Sequence, residues 1–296
     1  MAARIEGTER KAALLDGLSD AERAAAELDW TAACRQMVAD MKVAFERFPT
    51  FADRRVGIGR GAGGDNTLVI DEAAENAVFA VLEALAADSA AKFTAVSEER
   101  GTVSFGSEAV KVIVDPIDGS LNAKRVAQSY SLSVAVAAGD TMADVIYGYV
   151  FDFGTNEEWV ATLGGGATVD GRRLDPAEEG NDLEVVGLES TKPVFLTPKL
   201  LGAFDGEVQR IRSIGSIALT LCQVAAARFD GMLSLRPCRS VDAAAAQLIA
   251  REGGAHVIFG DPGDPLAAPL DLAPHEHVAA GRDQKRAKFL IESLLG

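Results

Sequence analysis

Two aspartates, Asp115 and Asp118, stand close together in the segment Asp115-Pro116-Ile117-Asp118-Gly119-Ser120-Leu121-Asn122. The run Val110 to Val114 before them is apolar and β-branched apart from Lys111, a strand pattern that delivers the chain to Pro116. Proline fixes φ and lacks an N–H donor, so the strand is expected to end there. Asp118-Gly119 is a turn signal, after which a helix can begin at Ser120. Two ionised carboxylates in one tight turn repel by on the order of a few kcal/mol at an effective dielectric of ~20, unless a cation lies between them. Carboxylates, backbone carbonyls and water are a hard, all-oxygen ligand set, which favours magnesium, manganese or calcium over zinc or copper. The amides of Gly119 and Ser120 at a helix start would seat a phosphate beside such an ion. The chemistry implied is metal-assisted attack on a phosphate ester. An isolated Asp-Pro-x-Asp-Gly also suits an ordinary surface turn; its spacing does not suit a calcium-binding EF-hand loop.

The elements that would position these residues are legible in outline. Apolar residues recur at three- and four-residue steps from Leu28 to Phe48, which predicts an amphipathic helix ending before Pro49, and residues 71 to 86 predict a second. Between them, Gly57 to Asp65 holds too much glycine for an element interior and reads as a flexible loop or hairpin tip, with a phosphate cradle as the alternative. Phe93 to Val96 reads as a strand leading into Ser97-Glu98-Glu99-Arg100-Gly101. Ser131–Ala138, Val145–Phe151 and Glu158–Thr162 read as the successive strands of an antiparallel meander. Past a charged, Pro- and Gly-containing stretch at Asp175 to Asp182, strands at Leu183–Leu188, Met232–Leu235 and Ala255–Phe259 alternate with helices at Ile217–Ala227 and Val241–Arg251. We therefore expect a helical extension over 1–29, an α+β half over 30–178 and an α/β half over 179–296.

Composition restricts the partners. With 29 basic and 44 acidic residues the chain carries a formal charge of −15, which disfavours nucleic acid and anionic membranes. An anionic substrate then needs local cations. Three scattered cysteines, Cys34, Cys222 and Cys238, indicate neither a disulfide framework nor a zinc site, and the charged N-terminal stretch lacks a signal-peptide apolar region. A cytoplasmic protein is expected.

Taken together, these segments resemble the inositol monophosphatase and fructose-1,6-bisphosphatase superfamily. The resemblance rests on four elements in order: Asp71-Glu72-Ala73-Ala74-Glu75 at a helix start, Ser97-Glu98-Glu99, Asp115 to Ser120, and Val241-Asp242-Ala243-Ala244 followed by Arg251-Glu252-Gly253-Gly254. It implies a layered α-β-α-β-α sandwich of two intimately packed halves and a phosphomonoesterase using two or three magnesium ions, with manganese as a substitute. By it, Glu98, Asp115 and the carbonyl of Ile117 hold one ion, Asp115, Asp118 and Asp242 a second, and Glu98 shares a looser third. Asp71 and Ser120 match the pair that activates the attacking water, serine replacing the commoner threonine. Taken alone, Glu98 could belong to a solvated charge run and Asp242 could be a plain helix N-cap.

The resemblance also implies a homodimer acting on a small phosphate ester. Arg212-Ser213-Ile214-Gly215-Ser216 is similar to an element near the family's substrate, which makes Arg212, Gly215 and Ser216 candidate substrate contacts alongside Asp118, Gly119 and Ser120. Metazoan-type inositol monophosphatases have a glutamate seven residues before the last metal aspartate; here Leu235 stands there. The run Arg236-Pro237-Cys238-Arg239 is closer to the archaeal dual-specificity branch, where an arginine such as Arg239 could hold a second phosphate bidentately. The surface alternative for Arg236 and Arg239 stays open. Fructose-1,6-bisphosphatase is thus the second enzymatic reading, and a non-catalytic metal-dependent binding or regulatory protein is the reading from another class. No role falls to His256, His275 or His277.

Overall fold

The computed structural model describes residues 2–60, 66–174 and 182–296. The chain opens with helices α1 (Ala2–Asp16), α2 (Asp20–Ala26), α3 (Trp30–Phe45) and the short α4 (Phe51–Arg54). A hairpin follows, β1 (Gly57–Arg60) with β2 (Asn66–Leu68), and then the long α5 (Val69–Asp88). The glycine-rich stretch thus supplies the arms of a hairpin, and its tip, 61–65, lies outside the described residues. Next come β3 (Thr94–Ser97), β4 (Gly101–Ser104), β5 (Lys111–Asp118), the five-residue α6 (Ser120–Lys124), β6 (Ser131–Ala137), β7 (Val145–Asp152), β8 (Glu158–Thr162), β9 (Gly166–Val169) and β10 (Arg172–Arg173). Most of the stretch expected to divide the halves, Asp175 to Asp182, is also outside the described residues. After it run β11 (Leu183–Glu189), α7 (Pro198–Phe204), β12 (Val208–Arg212), α8 (Ile217–Ala225), β13 (Gly231–Ser234), α9 (Ser240–Glu252), β14 (His256–Phe259), β15 (Val278–Gly281) and α10 (Gln284–Leu295).

Two sheets organise these elements. The larger has the order β10-β9-β8-β7-β6-β5-β3-β4, antiparallel except where β3 runs parallel to β5, and the smaller has the order β12-β11-β13-β15-β14. Helices α3 and α5 cover one face of the large sheet; α8 and α9 fill the space between the sheets; α7 and α10 cover the far face of the small one. This is the α-β-α-β-α sandwich.

The middle layer explains why the sequence adopts it. Strands β6 and β7 are buried along their whole length, so both faces of the large sheet need cover, as in any doubly covered sheet. Helix α9 supplies it with Ala243-Ala244-Ala245-Ala246, all buried, small enough to bring backbone close to backbone. At Gly148 of β7 a Cβ would come within 2.6 Å of the Ala245 carbonyl oxygen, so only glycine permits this approach. Val241, Leu248 and Ile249 add the helix's larger apolar side chains to the main core, each worth roughly 1.5–3 kcal/mol of transfer free energy. Among the described residues no helix is long and apolar enough to cross a membrane.

One expectation is corrected by the backbone. Strand β5 does not stop at Pro116 but continues to Asp118. Its register against β6 shifts between Asp115 and Asp118. The bulge puts proline where the ladder needs no N–H, the setting in which a strand tolerates it.

Candidate active site

The bulged end of β5 lies where several chain ends meet. Just past β3, Glu98 begins the tight turn into β4, whose first pair is Ser97 with Gly101. Asp242 sits in the first turn of α9, and Asp71 in the first turn of α5. Glu98, Asp115 and Asp242 each offer an oxygen within 4.8 Å of the others. Residues far apart in sequence are thereby gathered into one acidic group by two strand ends and a helix start.

The local bonds fix this arrangement. Asp115 Oδ1 accepts the Ile117 amide at 2.9 Å, closing a small turn over Pro116. Asp118 turns Oδ2 toward the start of α8, where the Ser216 hydroxyl (2.5 Å) and the Ala218 amide (2.7 Å) donate to it. Asp118 is therefore next to the acidic group but not part of the tight threesome. Asp71 accepts the Leu68 amide through Oδ2 at 2.9 Å, while its buried Oδ1 has no hydrogen-bond partner. Behind Glu98, the Ser97 hydroxyl donates to both oxygens of buried Glu75 at 2.7 and 2.9 Å. That explains the glutamate four residues after Asp71: it anchors the strand end that presents Glu98. Thr67 of β2 donates to Glu99 in a short hydrogen bond.

Electrostatics mark the cluster as strained. Burial, then repulsion from Glu98, Asp118 and Asp242, pushes the Asp115 carboxyl well above the ordinary carboxylate range. Burial raises Glu98 to about 7 against the opposing pull of Arg239, and raises Asp118 to about 7, with Asp242 adding to the effect. Asp71 rises to about 6, chiefly through burial. Perturbed acids gathered in a cleft are the usual mark of a functional site. A chamber of about 80 Å³ is lined by Asp71, Glu98, Glu99, Asp115, Ile117 and Ser120 among others. It adjoins a cleft of about 430 Å³ on whose walls Asp118, Gly119, Gly215, Lys192, Arg236 and Arg239 stand.

Gly119 forms the junction. Its φ of +92° is left-handed, and a Cβ there would come within 2.8 Å of the Ser129 carbonyl and 3.2 Å of the Gly215 carbonyl, so the turn from β5 into α6 requires glycine. Asn122 ties the same two segments, donating to the carbonyls of Ser129 (2.9 Å) and Ile214 (2.7 Å). Glu189, at the end of β11, accepts the amides of Ile214 and Gly215 at 3.0 Å each and the Thr220 hydroxyl at 2.8 Å. Glu189, Asn122 and Lys192 escape the sequence reading. For Glu189 the available signal was an acid directly after an apolar strand run, the same signal Asp115 gives.

The substrate candidates divide. Gly215 lines the cleft, whereas Ser216 is buried as the N-cap of α8 with its hydroxyl committed to Asp118. Arg212 is exposed at the end of β12; its guanidinium donates to the Ile211 carbonyl, and it is not among the described residues lining the cleft. Arg236 lines the cleft with its guanidinium over the Phe195 ring. Leu235 is buried in the smaller core under the second sheet, so that position is packing rather than a cleft contact.

An all-oxygen donor set, a buried carboxylate oxygen without a partner and mutually repelling acids together fit a hard divalent cation. Acids at strand and helix ends around such a chamber, in a five-layer sandwich, define a metal-dependent hydrolase of the sugar-phosphatase kind. A sequence model of the inositol monophosphatase family matches residues 29–294, and the chain belongs to that family of phosphoric monoester hydrolases. The chain is 31% identical over 243 residues to a fructose-1,6-bisphosphatase/inositol-1-monophosphatase of Methanothermobacter thermautotrophicus, covering 78% of this chain and 84% of that one. It is 33% identical over 202 residues to the Nus factor SuhB of Escherichia coli, covering 64% and 71%. A crystal structure described as an inositol monophosphatase-fructose 1,6 bisphosphatase superposes with a TM-score of 0.77 at 24% identity, covering 90% of this chain and all of the other, and so shows the shared fold.

Proposed function

We propose that the protein is a magnesium-dependent phosphomonoesterase acting on inositol monophosphate or a related small sugar phosphate. The observation that carries this is the gathering of Glu98, Asp115 and Asp242 beside Asp71, whose Oδ1 is buried without a partner. Glu98, Asp115, Asp242, the Ile117 carbonyl and the remaining oxygen of Asp118 would hold two or three ions, manganese serving in place of magnesium. Bound there, divalent ions would acidify a water and stabilise a leaving alkoxide. Asp71, with a carboxyl raised to about 6, can accept the proton of that water near neutral pH through Oδ1. Ser120 lines the same chamber and would orient the water, and the amides that open α6 would receive the phosphate.

A second reading is dual specificity toward fructose 1,6-bisphosphate. Lys192, Arg236 and Arg239 on the cleft walls, with an apolar Leu235 where an acid would contact a polyol, favour a substrate carrying a second anionic group. A regulatory role without catalysis is the reading that the Nus factor relative keeps in view. Retention of Asp71, Glu98, Asp115, Asp118 and Asp242 disfavours it. We also propose a homodimer, which a monomer mass in light scattering would refute, and a cytoplasmic setting, supported by three free buried cysteines. The deciding measurement is kcat/KM with magnesium for inositol 1-phosphate, fructose 1,6-bisphosphate, histidinol phosphate and 3′-phosphoadenosine 5′-phosphate. Failure to release phosphate from any of them would overturn the enzymatic reading.

A further inference from the structure

Arg239 is the N-cap residue of α9, and its side chain forks between two of the three clustered acids. Nη1 donates to Glu98 Oε1 at 2.8 Å and Nη2 to Asp242 Oδ1 at 3.1 Å, while the Arg239 amide gives to Asp242 Oδ2 at 2.9 Å. The side chain is 19% exposed, so this is a cation inside the cluster and not a charge on its rim. Burial opposes the guanidinium's charge, but Asp242, Glu98 and Asp115 outweigh it and hold the group protonated.

Two effects of opposite sign follow from that position. The guanidinium offsets the repulsion between Glu98, past the end of β3, and Asp242, on α9, and so holds together acids from opposite halves of the chain. It also repels any divalent ion approaching the same two oxygens. A like charge so close raises the cost of bringing a divalent ion to the same oxygens, and does so more for a dication than for a monocation. Arginine does not lose its proton in proteins, so the repulsion is permanent. With it, the Glu98–Asp242 edge carries two carboxylates and one resident cation; without it, two bare carboxylates.

We propose that Arg239 is a built-in counter-ion that preassembles the Glu98–Asp242 edge while keeping a divalent ion at that edge weakly held and exchangeable. The inference rests on the reading of the acid cluster as a metal centre. A merely structural arginine would have the contrary effect, because its loss would scatter the ligands and weaken ion binding.

The test is calorimetric titration of Mg²⁺ and Mn²⁺ into chelator-treated wild type and the variants Arg239→Met, Arg239→Gln and Arg239→Lys, with no substrate present. Removing the charge should tighten the most weakly held ion about tenfold or more in the Met and Gln variants, whereas Lys, which keeps the charge, should stay within about threefold of wild type. Thermal unfolding without added metal should show the Met variant melting below wild type. Glutamine can still donate a hydrogen bond to a carboxylate, and it serves if the Met variant does not fold. Unchanged or weaker ion binding in the Met and Gln variants would overturn the inference alone. A wild-type protein that takes up no divalent ion would overturn the metal-centre reading, and this inference with it.

Discussion

The two ends of the large sheet are built on opposite terms. At the end where β5 finishes, acids are buried beside one another, raised toward neutrality, and one carboxylate oxygen has no partner. At the end where β5 begins, charges meet partners. Lys111 pairs with Asp140 at 2.6 Å, Arg10 of α1 with Asp144 at 3.4 Å, and the two oxygens of Glu252 accept the amides of Gly164 and Gly166 at 2.8 Å each. Helices α1 and α2 close this end: the Ser107 hydroxyl donates to Glu22 at 2.6 Å and the Lys92 amide to the Ala21 carbonyl at 3.0 Å. The N-terminal stretch, most of which precedes the family match, is thus docked onto the fold. One end is satisfied internally and contributes stability; the other, where Arg239 offsets Glu98 and Asp242 but leaves Asp71 Oδ1 without a partner, is satisfied only in part.

That contrast is broken most sharply at Asp115. Asp115→Asn removes an ionisable carboxyl that folding buries beside other acids, with its ionised form disfavoured, so unfolding in the presence of chelator should require as much heat as in wild type, or more. Turnover should fall by about a hundredfold or more, since electrostatic positioning is most of what phosphoryl transfer asks of a protein. Near-normal magnesium-dependent phosphate release by the variant would return Asp115 to the status of a turn residue.

Glu75 sharpens the same comparison through pH. Burial raises its carboxyl to about 7, against an ordinary value of 4.5. The folded state therefore binds more protons than the unfolded state between these values, and stability falls as pH rises through the window. The loss is complete above about 7 and absent below about 4.5. Each tenfold in proton affinity is worth about 1.4 kcal/mol, so Glu75 accounts for on the order of 3 kcal/mol across the window. Glu75→Gln should flatten the pH dependence of chemical unfolding between about 5 and 7, because the amide oxygen can still accept the Ser97 hydroxyl. An identical pH profile in the two proteins would show that the strain resides elsewhere.

At the satisfied end the expected effect is smaller and confined to stability. Glu252→Ala leaves two partly buried amides, Gly164 and Gly166, without their acceptor, which costs about 1–3 kcal/mol. Urea unfolding should register this while kcat/KM stays within about twofold of wild type. A large loss of activity at unchanged stability would mean that the two ends are coupled.

Asp115 and Asp118 were legible from their own turn, whereas Glu98 and Asp242 joined them only through the family resemblance, since each alone also suits a charge run or a helix N-cap. The meander and the strand–helix alternation after it were legible from hydrophobic period, and their layering from the family resemblance. Features set by packing between distant segments were not. Pro116 stays in the strand only because β6 accepts a bulge opposite it. Asp118 turns partly toward α8 because Ser216 and Ala218, about a hundred residues away, present donors there. Leu235 is core because the second sheet packs over it. Strands β9 and β15 are short runs of mostly small residues and β12 is a mostly exposed, charged edge strand, so none of them carries the apolar run that marks the equally short strands the sequence does signal.

Arg212 shows where motif reading and geometry part, and it carries the smallest predicted effect. In the sequence it opens the element Arg212-Ser213-Ile214-Gly215-Ser216 and so inherits a substrate role by adjacency. In the structure the element divides at its second residue: Ser213 and Gly215 reach the cleft, while Arg212 completes the exposed edge strand β12 and directs a donor to its neighbour's carbonyl. A solvated arginine outside the cleft is screened from a bound anion within about a Debye length, roughly 8 Å at physiological salt. Arg212→Ala should therefore leave kcat and KM within about twofold of wild type for mono- and bisphosphate esters alike, and should change stability by less than about 0.5 kcal/mol. Arg236→Ala, on the cleft wall, is the internal control, since it should raise KM for a bisphosphate more than for a monophosphate. If Arg212→Ala instead raises KM as Arg236→Ala does, β12 must move toward the cleft when substrate binds, and the division between a reactive end and a passive edge would have to be redrawn there.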